Sequence, residues 1–404
     1  MESLDAARGA ADSERRNEDA ATIVVVAGEA SGDLHGARLV ERLHAAAPHL
    51  RILGMGGAAM RAAGVELLAD AGETAVVGIS ELWEKRRALQ TALRRLRECL
   101  RAERPALLIC IDFPDFNFLL ARTARQLDIP VCYFISPQVW AWRRGRIRTI
   151  HRLVRKMLVL FPFEERLYRE AGVDVAFVGH PLLDILADVP PSAACRQALG
   201  LSPEAEVIGL LPGSRQAELR RHLPLLLQAA ARIRAARPAA EFLLGLASTL
   251  DRESVEAAAV ASGVPIRVIQ GSTHEVVRAA NLILAVSGTV TLETAILGTP
   301  LIITYRVGLL TWLAARLLVK VKFAGLPNLV AGRSIAPELL QFEATPERLS
   351  REALSLLASP ERLAEMRRAL AEVRTRLGER GAAERAARQV LALLAEGRPA
   401  ETGV

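Results

Sequence analysis

Short apolar runs alternate with longer stretches in which apolar residues recur every three or four positions, and the alternation holds over most of the chain. Ile23 to Val26 reads as a strand. Asp33 to Ala47 follows as a helix, with Leu34, Ala37, Val40 and Leu43 at helical spacing. Arg51 to Leu53 leads into Gly54-Met55-Gly56-Gly57, and a helix begins near Ala58. Leu82 to Arg104 is a long amphipathic helix with Leu89, Leu93, Leu96 and Leu100 on one stripe, stopped by Pro105. Ala106 to Ile111, Val131 to Ile135 and Met157 to Leu160 are further strands. A second series has strands at Val207 to Leu211, Glu241 to Leu246, Ile266 to Ile269 and Leu282 to Val286. Helices at Leu219 to Arg237, Arg252 to Ser262 and His274 to Ala280 separate them, and Pro346 to Glu396 is nearly all helix. Helices alternating with short buried strands predict an α/β fold of parallel sheets with right-handed crossovers.

The pattern breaks at Gly179-His180-Pro181 and again at Val189-Pro190-Pro191-Ser192, where a linker is expected. A chain of 404 residues exceeds one ordinary core, so two domains are expected to face one cleft. The expected division is a disordered extension over 1–20, a first domain over 21–186, a second over 187–370, and C-terminal helices over 371–404 that pack back on the first. With 51% hydrophobic but only 4% aromatic residues, Ala and Leu fill the interior, which suits helix-rich packing.

The formal charge of +7 matters through its placement. Arg143, Arg144, Arg146, Arg148, Arg152, Arg155 and Lys156 crowd one stretch; Arg86, Arg87, Arg94, Arg95, Arg97, Arg101 and Arg104 crowd another. Such clusters suit phosphate groups or acidic lipid surfaces, or else form solvated helix faces. No helix-turn-helix, zinc-finger or RNA-binding aromatic signature accompanies them, so nucleic acid is not an expected partner. Cys99, Cys110, Cys132 and Cys195 are widely spaced and read as reduced thiols rather than a disulfide or zinc set. The first twenty residues lack the apolar core of a signal peptide, and no apolar run reaches the ~18 residues that span a bilayer. A soluble or surface-associated protein is expected.

Candidate chemistry sits at strand ends. Pro212-Gly213-Ser214-Arg215 follows one strand, and the planar guanidinium of Arg215 offers a phosphate a bidentate fork; the alternative is an N-capping Ser214 with a solvated Arg215. Ser287-Gly288-Thr289 opens a helix whose N-terminus can receive a pyrophosphate. Glu293, one turn in, either accepts from ribose hydroxyls or complements the helix dipole. Two anion-ready turns in one sheet favour a nucleoside diphosphate. In the first half, Asp112-Phe113-Pro114-Asp115-Phe116-Asn117 follows a strand directly, so Asp112 is placed to take a proton from a hydroxyl. Either aspartate alone also fits a helix cap. Gly28 to Asp33, which includes Glu29 and Ser31, has no G-x-G-x-x-G, so a dehydrogenase reading is weak. His180 is a lone histidine of the kind that is more often structural, no cluster has metal-ligand spacing, and G-x-S-x-G does not occur.

Seven segments in fixed order carry a resemblance: Ala27 to Asp33, Ile111 to Asn117, Ser136-Pro137-Gln138-Val139-Trp140-Ala141-Trp142-Arg143, Val178-Gly179-His180-Pro181, Leu211 to Arg215, Ser287-Gly288-Thr289 and Leu326-Pro327-Asn328-Leu329. Together they resemble the lipid-A-disaccharide synthase family, from about residue 22 to Gln341. The resemblance implies an inverting, metal-independent glycosyltransferase of GT-B architecture that needs no cofactor. Its donor would be UDP-2,3-diacylglucosamine and its acceptor 2,3-diacylglucosamine 1-phosphate, joined β-1,6 with release of UDP. It also implies that Asp112 is the essential carboxylate and Arg215 the diphosphate contact. Gly213, Ser214, Ser287, Gly288, Thr289, Glu293 and Asn328 would frame the nucleotide, and Glu29, Ser31, Asp33 and Asp115 would lie on the acceptor side. A homodimer through C-terminal parts is implied as well.

Acylated substrates require apolar surface beside basic residues, which Val76, Val77, Ile79, Leu82 and Trp83 offer next to Arg86 and Arg87, unless these pack into the core. Leu309 to Lys322 is the second choice for docking at the cytoplasmic face of the inner membrane. A UDP-sugar 2-epimerase of the same fold, or a non-catalytic lipid-binding protein, are the alternative readings.

Overall fold

The computed structural model describes residues 21–71, 81–139, 144–309, 312 and 322–396, the side chains of 81–85 and 144 excepted. Two compact units are formed. One runs to Pro181 and takes back the chain from Arg380; the other is Leu182–Glu379.

The first unit holds seven strands: β1 (Thr22–Ala27), β2 (Arg51–Gly56), β3 (Glu66–Asp70), β4 (Leu107–Ile111), β5 (Val131–Phe134), β6 (Lys156–Val159) and β7 (Val175–Phe177). Their order is β3-β2-β1-β4-β5-β6-β7, and every pairing is parallel. A parallel sheet must be covered on both faces, which is why β1 and β4 are apolar at every interior position rather than alternating with polar residues. Val24, Val26, Leu108 and Cys110 point to one face, where Leu96 and Leu100 of the Glu81–Glu103 helix meet them. Ile23, Val25, Leu107 and Ile109 point to the other, covered by Leu39, Val40 and Leu43 of the Ala30–Ala46 helix. The Ala382–Glu396 helix adds Ala386, Val390 and Leu393 to this second face, so its apolar stripe fixes the C-terminal segment to the first unit. Cys110 and Cys132 are buried free thiols, and burial pushes the Cys132 thiol up to about 12.

The second unit holds six strands: β8 (Val207–Leu211), β9 (Glu241–Leu246), β10 (Ile266–Gln270), β11 (Leu282–Val286), β12 (Leu301–Tyr305) and β13 (Glu338–Leu340). The order is β10-β9-β8-β11-β12-β13, again parallel throughout. The Pro360–Arg376 helix packs here, through Met366, whose sulfur accepts from the Leu301 N–H at 3.3 Å.

Sequence reading and structure differ at the sheet margins. β3, β7 and β13 escape hydrophobic patterning because they are half-buried edge strands, two of them only three residues long. β12 has the same buried apolar signal as its neighbours and extends the series past Val286. The first helix starts at Ala30 rather than Asp33, since the Asp33 N–H already donates to the Glu29 carbonyl at 2.9 Å. Gly32 and Gly36 in that helix let it press on the sheet; a Cβ on Gly36 would meet the Met60 sulfur at 2.6 Å.

Asp33 ties the first crossover to the second. Its carboxylate accepts from the N–H groups of Gly57 at 2.6 Å, Ala59 at 3.0 Å and Met60 at 3.0 Å, so it caps the helix at Ala58–Ala62 from a distance in sequence. Replacing it strands those donors in a buried site. Asp33→Ala is expected to lower the unfolding free energy by about 3 kcal/mol in a urea titration.

Candidate active site

In the first unit the chain leaves β1 toward β2 and β3, then returns to β4 on the other side, so no crossover covers the crevice between the ends of β1 and β4. Ala27 and Ile111 pair there, which sets the loops beginning at Gly28 and Asp112 side by side. Asp112 and Phe113 are both left-handed, with φ of 44° and 47°, a conformation costing about 1–3 kcal/mol per non-glycine residue. The surroundings hold them there. The Asp112 carbonyl accepts from the Tyr133 hydroxyl at 2.5 Å and from Asn117 Nδ2 at 2.8 Å. The Phe113 ring stacks on Phe116 with centroids 5.3 Å apart and lies over Gly28, where a Cβ would sit 2.2 Å from the ring. Gly28 is therefore glycine because of Phe113.

Burial pushes the Asp112 carboxyl above the ordinary carboxylate range, the nearby Glu29 carboxylate adds to the rise, and the Phe113 N–H opposes it. Glu29 is exposed at the N-cap of the Ala30–Ala46 helix, and Ser31 is exposed in its first turn. Asp115 bridges to Arg146 at 2.5 Å, while Asp33 spends its oxygens on the loop donors described above. Of the acidic residues expected on this side, Glu29 acts on Asp112, and Asp33 serves the backbone. Ile79 lies outside the described residues, as does the side chain of Trp83.

His180 is buried near His35. Burial and proximity to His35 lower His180 to about 3; burial and Arg38 lower His35 to about 4. The His180 ring is tilted against Phe161 at 5.2 Å. Both imidazoles are neutral near pH 7.

The second unit repeats the arrangement. Its order reverses between β8 and β11, paired at Leu211 and Ala285, and a cleft of about 540 Å³ opens at these strand ends. Gly213, Ser214, Arg215, Ser287, Gly288, Thr289 and Glu293 all line it. Gly213 turns with φ of 108°, and the following helix, Gln216–Ala236, takes Arg215 and not Ser214 as its N-cap. Glu218 then reaches back to the Ser214 N–H at 3.1 Å, a cap shifted one residue from the sequence expectation. The Arg215 side chain is 80% exposed and approaches Glu218 only to 3.7 Å, which leaves its fork directed at solvent in the cleft. The Thr289–Leu297 helix starts at the cleft wall, so its first N–H groups and dipole favour an anion. Ser287 Oγ donates to the Ala324 carbonyl at 2.8 Å. Glu293 pairs with His274 Nε2 at 3.2 Å.

The comparisons with known proteins agree with this geometry. A family model described as lipid-A-disaccharide synthetase matches residues 23–393. The lipid-A-disaccharide synthase of Syntrophus aciditrophicus is 47% identical over 373 residues, 92% of this chain and 97% of that protein. This chain belongs to the lipid-A-disaccharide synthase family. Distant solved structures share the fold. The calicheamicin glycosyltransferase CalG4 superposes with a TM-score of 0.58 at 17% identity, covering 94% of this chain and 100% of that one. The UDP-GlcNAc 2-epimerase from Neisseria meningitidis bound to UDP-GlcNAc gives 0.59 at 13% identity, covering 93% and 100%. The family member described here thus has two Rossmann-like units of the GT-B type, each ending in a ligand-ready crevice.

Asn328 departs from the expected placement in the nucleotide pocket. Wholly buried, it donates Nδ2 to the Ala336 carbonyl at 2.8 Å and to Glu338 at 2.7 Å, and Oδ1 accepts from the Ile335 and Ala336 N–H groups at 2.7 and 2.9 Å. Glu338 in turn accepts from the Ala324 and Gly325 N–H groups, so Asn328 fastens the loop that carries the Ser287 partner rather than lining the cleft. Sequence reading missed Ser248, Gly271, His274 and Tyr305, which line the same cleft. The strand-end rule applied to β9, β10 and β12 would have found them.

The buried histidines give this family member a signature in acid. An unfolded chain protonates His180 near pH 6.5, whereas the folded chain does so only near 3, so stability falls as pH drops below 6.5. Denaturant titrations from about pH 6 to about pH 4.5 are expected to show His180→Asn with a slope shallower by about 1.4 kcal/mol per pH unit than the parent.

Proposed function

We propose that the chain performs the reaction its family is named for: it transfers the diacylglucosamine of UDP-2,3-diacylglucosamine to the 6-hydroxyl of 2,3-diacylglucosamine 1-phosphate. The Asp112 carboxylate takes the hydroxyl proton as the oxygen attacks the anomeric carbon. The bond from that carbon to the diphosphate oxygen breaks, and its electron pair leaves on UDP with inversion. Arg215 and the N-terminus of the Thr289–Leu297 helix stabilise the charge that grows on the leaving diphosphate. Glu293, held by His274, takes the ribose hydroxyls.

The observation that carries this reading is the raised carboxyl of Asp112 on a constrained turn at the switch point of its sheet. A carboxylate with a raised pKa is a stronger base than an ordinary one. Its charge is lost as pH falls through that raised value, so kcat/KM should fall on the acid side above the usual carboxylate range. Asp112→Asn should lower kcat by ~10²–10⁴ while UDP binding persists. Near-normal turnover by this variant would remove Asp112 from the role.

Arg215→Lys keeps the charge but loses the planar fork, and calorimetry should show UDP affinity lower by about tenfold. Unchanged affinity would return Arg215 to a solvated surface residue.

The acylated substrates are met at the cytoplasmic face of the inner membrane. No described helix is long and apolar enough to cross a membrane. Val76, Val77 and Ile79, the first choice for docking, lie outside the described residues. In the second-choice segment Leu309 is 57% exposed, and Trp312 meets Phe342, 66% exposed, edge to face at 5.1 Å. Leu309→Ser with Phe342→Ser should weaken binding to anionic vesicles and leave UDP binding alone. The homodimer implied by the family is part of this proposal, and sedimentation velocity checks it.

A further inference from the structure

The left-handed turn at Asp112 is held by side chains that converge on one carbonyl. Tyr133 and Asn117 come from different elements, β5 and the Pro114–Gln126 helix, yet both donate to the Asp112 carbonyl oxygen. Asn117 Nδ2 also reaches the Ile111 carbonyl at 3.3 Å, spanning the step from strand to turn. Both side chains are wholly buried. Asn117 Oδ1 has no hydrogen-bond partner among the described residues. A buried amide with one oxygen unpaired is a poor stabiliser of a core, where an apolar side chain of similar volume would serve better. What Asn117 supplies is its Nδ2. Tyr133 is in the same position: its ring packs beside Phe118 at 5.7 Å, a contact phenylalanine would also make, and its hydroxyl serves the Asp112 carbonyl.

We propose that Tyr133 and Asn117 are positioning residues for the transfer reaction: by clamping the Asp112 carbonyl they hold the Asp112–Phe113 turn left-handed and so fix where the Asp112 carboxylate stands. Without the clamp the turn relaxes toward ordinary backbone conformations, and the carboxylate swings into better solvated positions. It then loses aim toward the acceptor hydroxyl and some of its raised basicity. The inference rests on the reading of Asp112 as the base.

Tyr133→Phe deletes the hydroxyl and keeps the buried ring. The expected result is a kcat for disaccharide formation lower by ten- to a hundredfold, UDP affinity within twofold of the parent, and an acid limb of kcat/KM moved to lower pH. In the Asp112→Asn background the same substitution should have no further effect on kcat, because the clamp acts only through the carboxylate. A kcat and acid limb unchanged by Tyr133→Phe would overturn the proposal, as would an equal loss in both backgrounds. If Tyr133→Phe does not fold, Asn117→Ser carries the same comparisons with the same deciding outcomes. The two readings fail separately: an active Asp112→Asn sinks the base, whereas an inactive Asp112→Asn beside a fully active Tyr133→Phe sinks only the clamp.

Discussion

Parallel pairing is the constraint on which the rest depends. When every strand of a sheet runs the same way, all strand ends with free loops lie along one edge, and every return crossover must cover a face. Where the strand order reverses, two neighbouring loops leave in opposite directions and a crevice stays open between them. Each unit meets this condition once, between β1 and β4 and between β8 and β11. Asp112 stands at the first crevice and the anion-ready loops at the second. Their chemistry differs because the loops differ, one pair carrying Gly28, Glu29 and Asp112, the other Gly213, Arg215 and the Ser287-Gly288-Thr289 turn.

The two crevices treat charge in opposite ways. Asp112 is partly desolvated and faces a like-charged neighbour, which makes it a better base at the expense of stability. The second cleft keeps Arg215 in water and relies on exposed backbone N–H groups, an arrangement that binds an anion without burying a cation first. Strain follows the same division. Consecutive left-handed residues occur at Asp112 and Phe113, held in part by Asn117, whose Oδ1 has no hydrogen-bond partner among the described residues.

Much of this was legible in the residues themselves. Glu241–Leu246 and Leu282–Val286 have the boundaries expected from pattern alone, because fully buried strands bounded by polar loops carry a strong signal. The loops that line the second unit's cleft were legible for the same reason: they follow such strands. Edge strands such as β7 were not, since half-burial leaves no run of apolar residues to read. Nor was the role of Asn328, whose four hydrogen bonds depend on the fold of a loop. Asp33 shows the same limit; a carboxylate beside a glycine loop looks like a ligand contact until Gly57, Ala59 and Met60 turn their N–H groups toward it.

The central claim is direct, inverting transfer from a UDP-linked donor to a second sugar. Its most direct test is to follow UDP release from UDP-2,3-diacylglucosamine with and without the monosaccharide 1-phosphate acceptor, and to read the anomeric configuration of the product by NMR. UDP should appear only with acceptor, in step with a β-linked disaccharide. UDP released without acceptor, or an α-linked product, would contradict it.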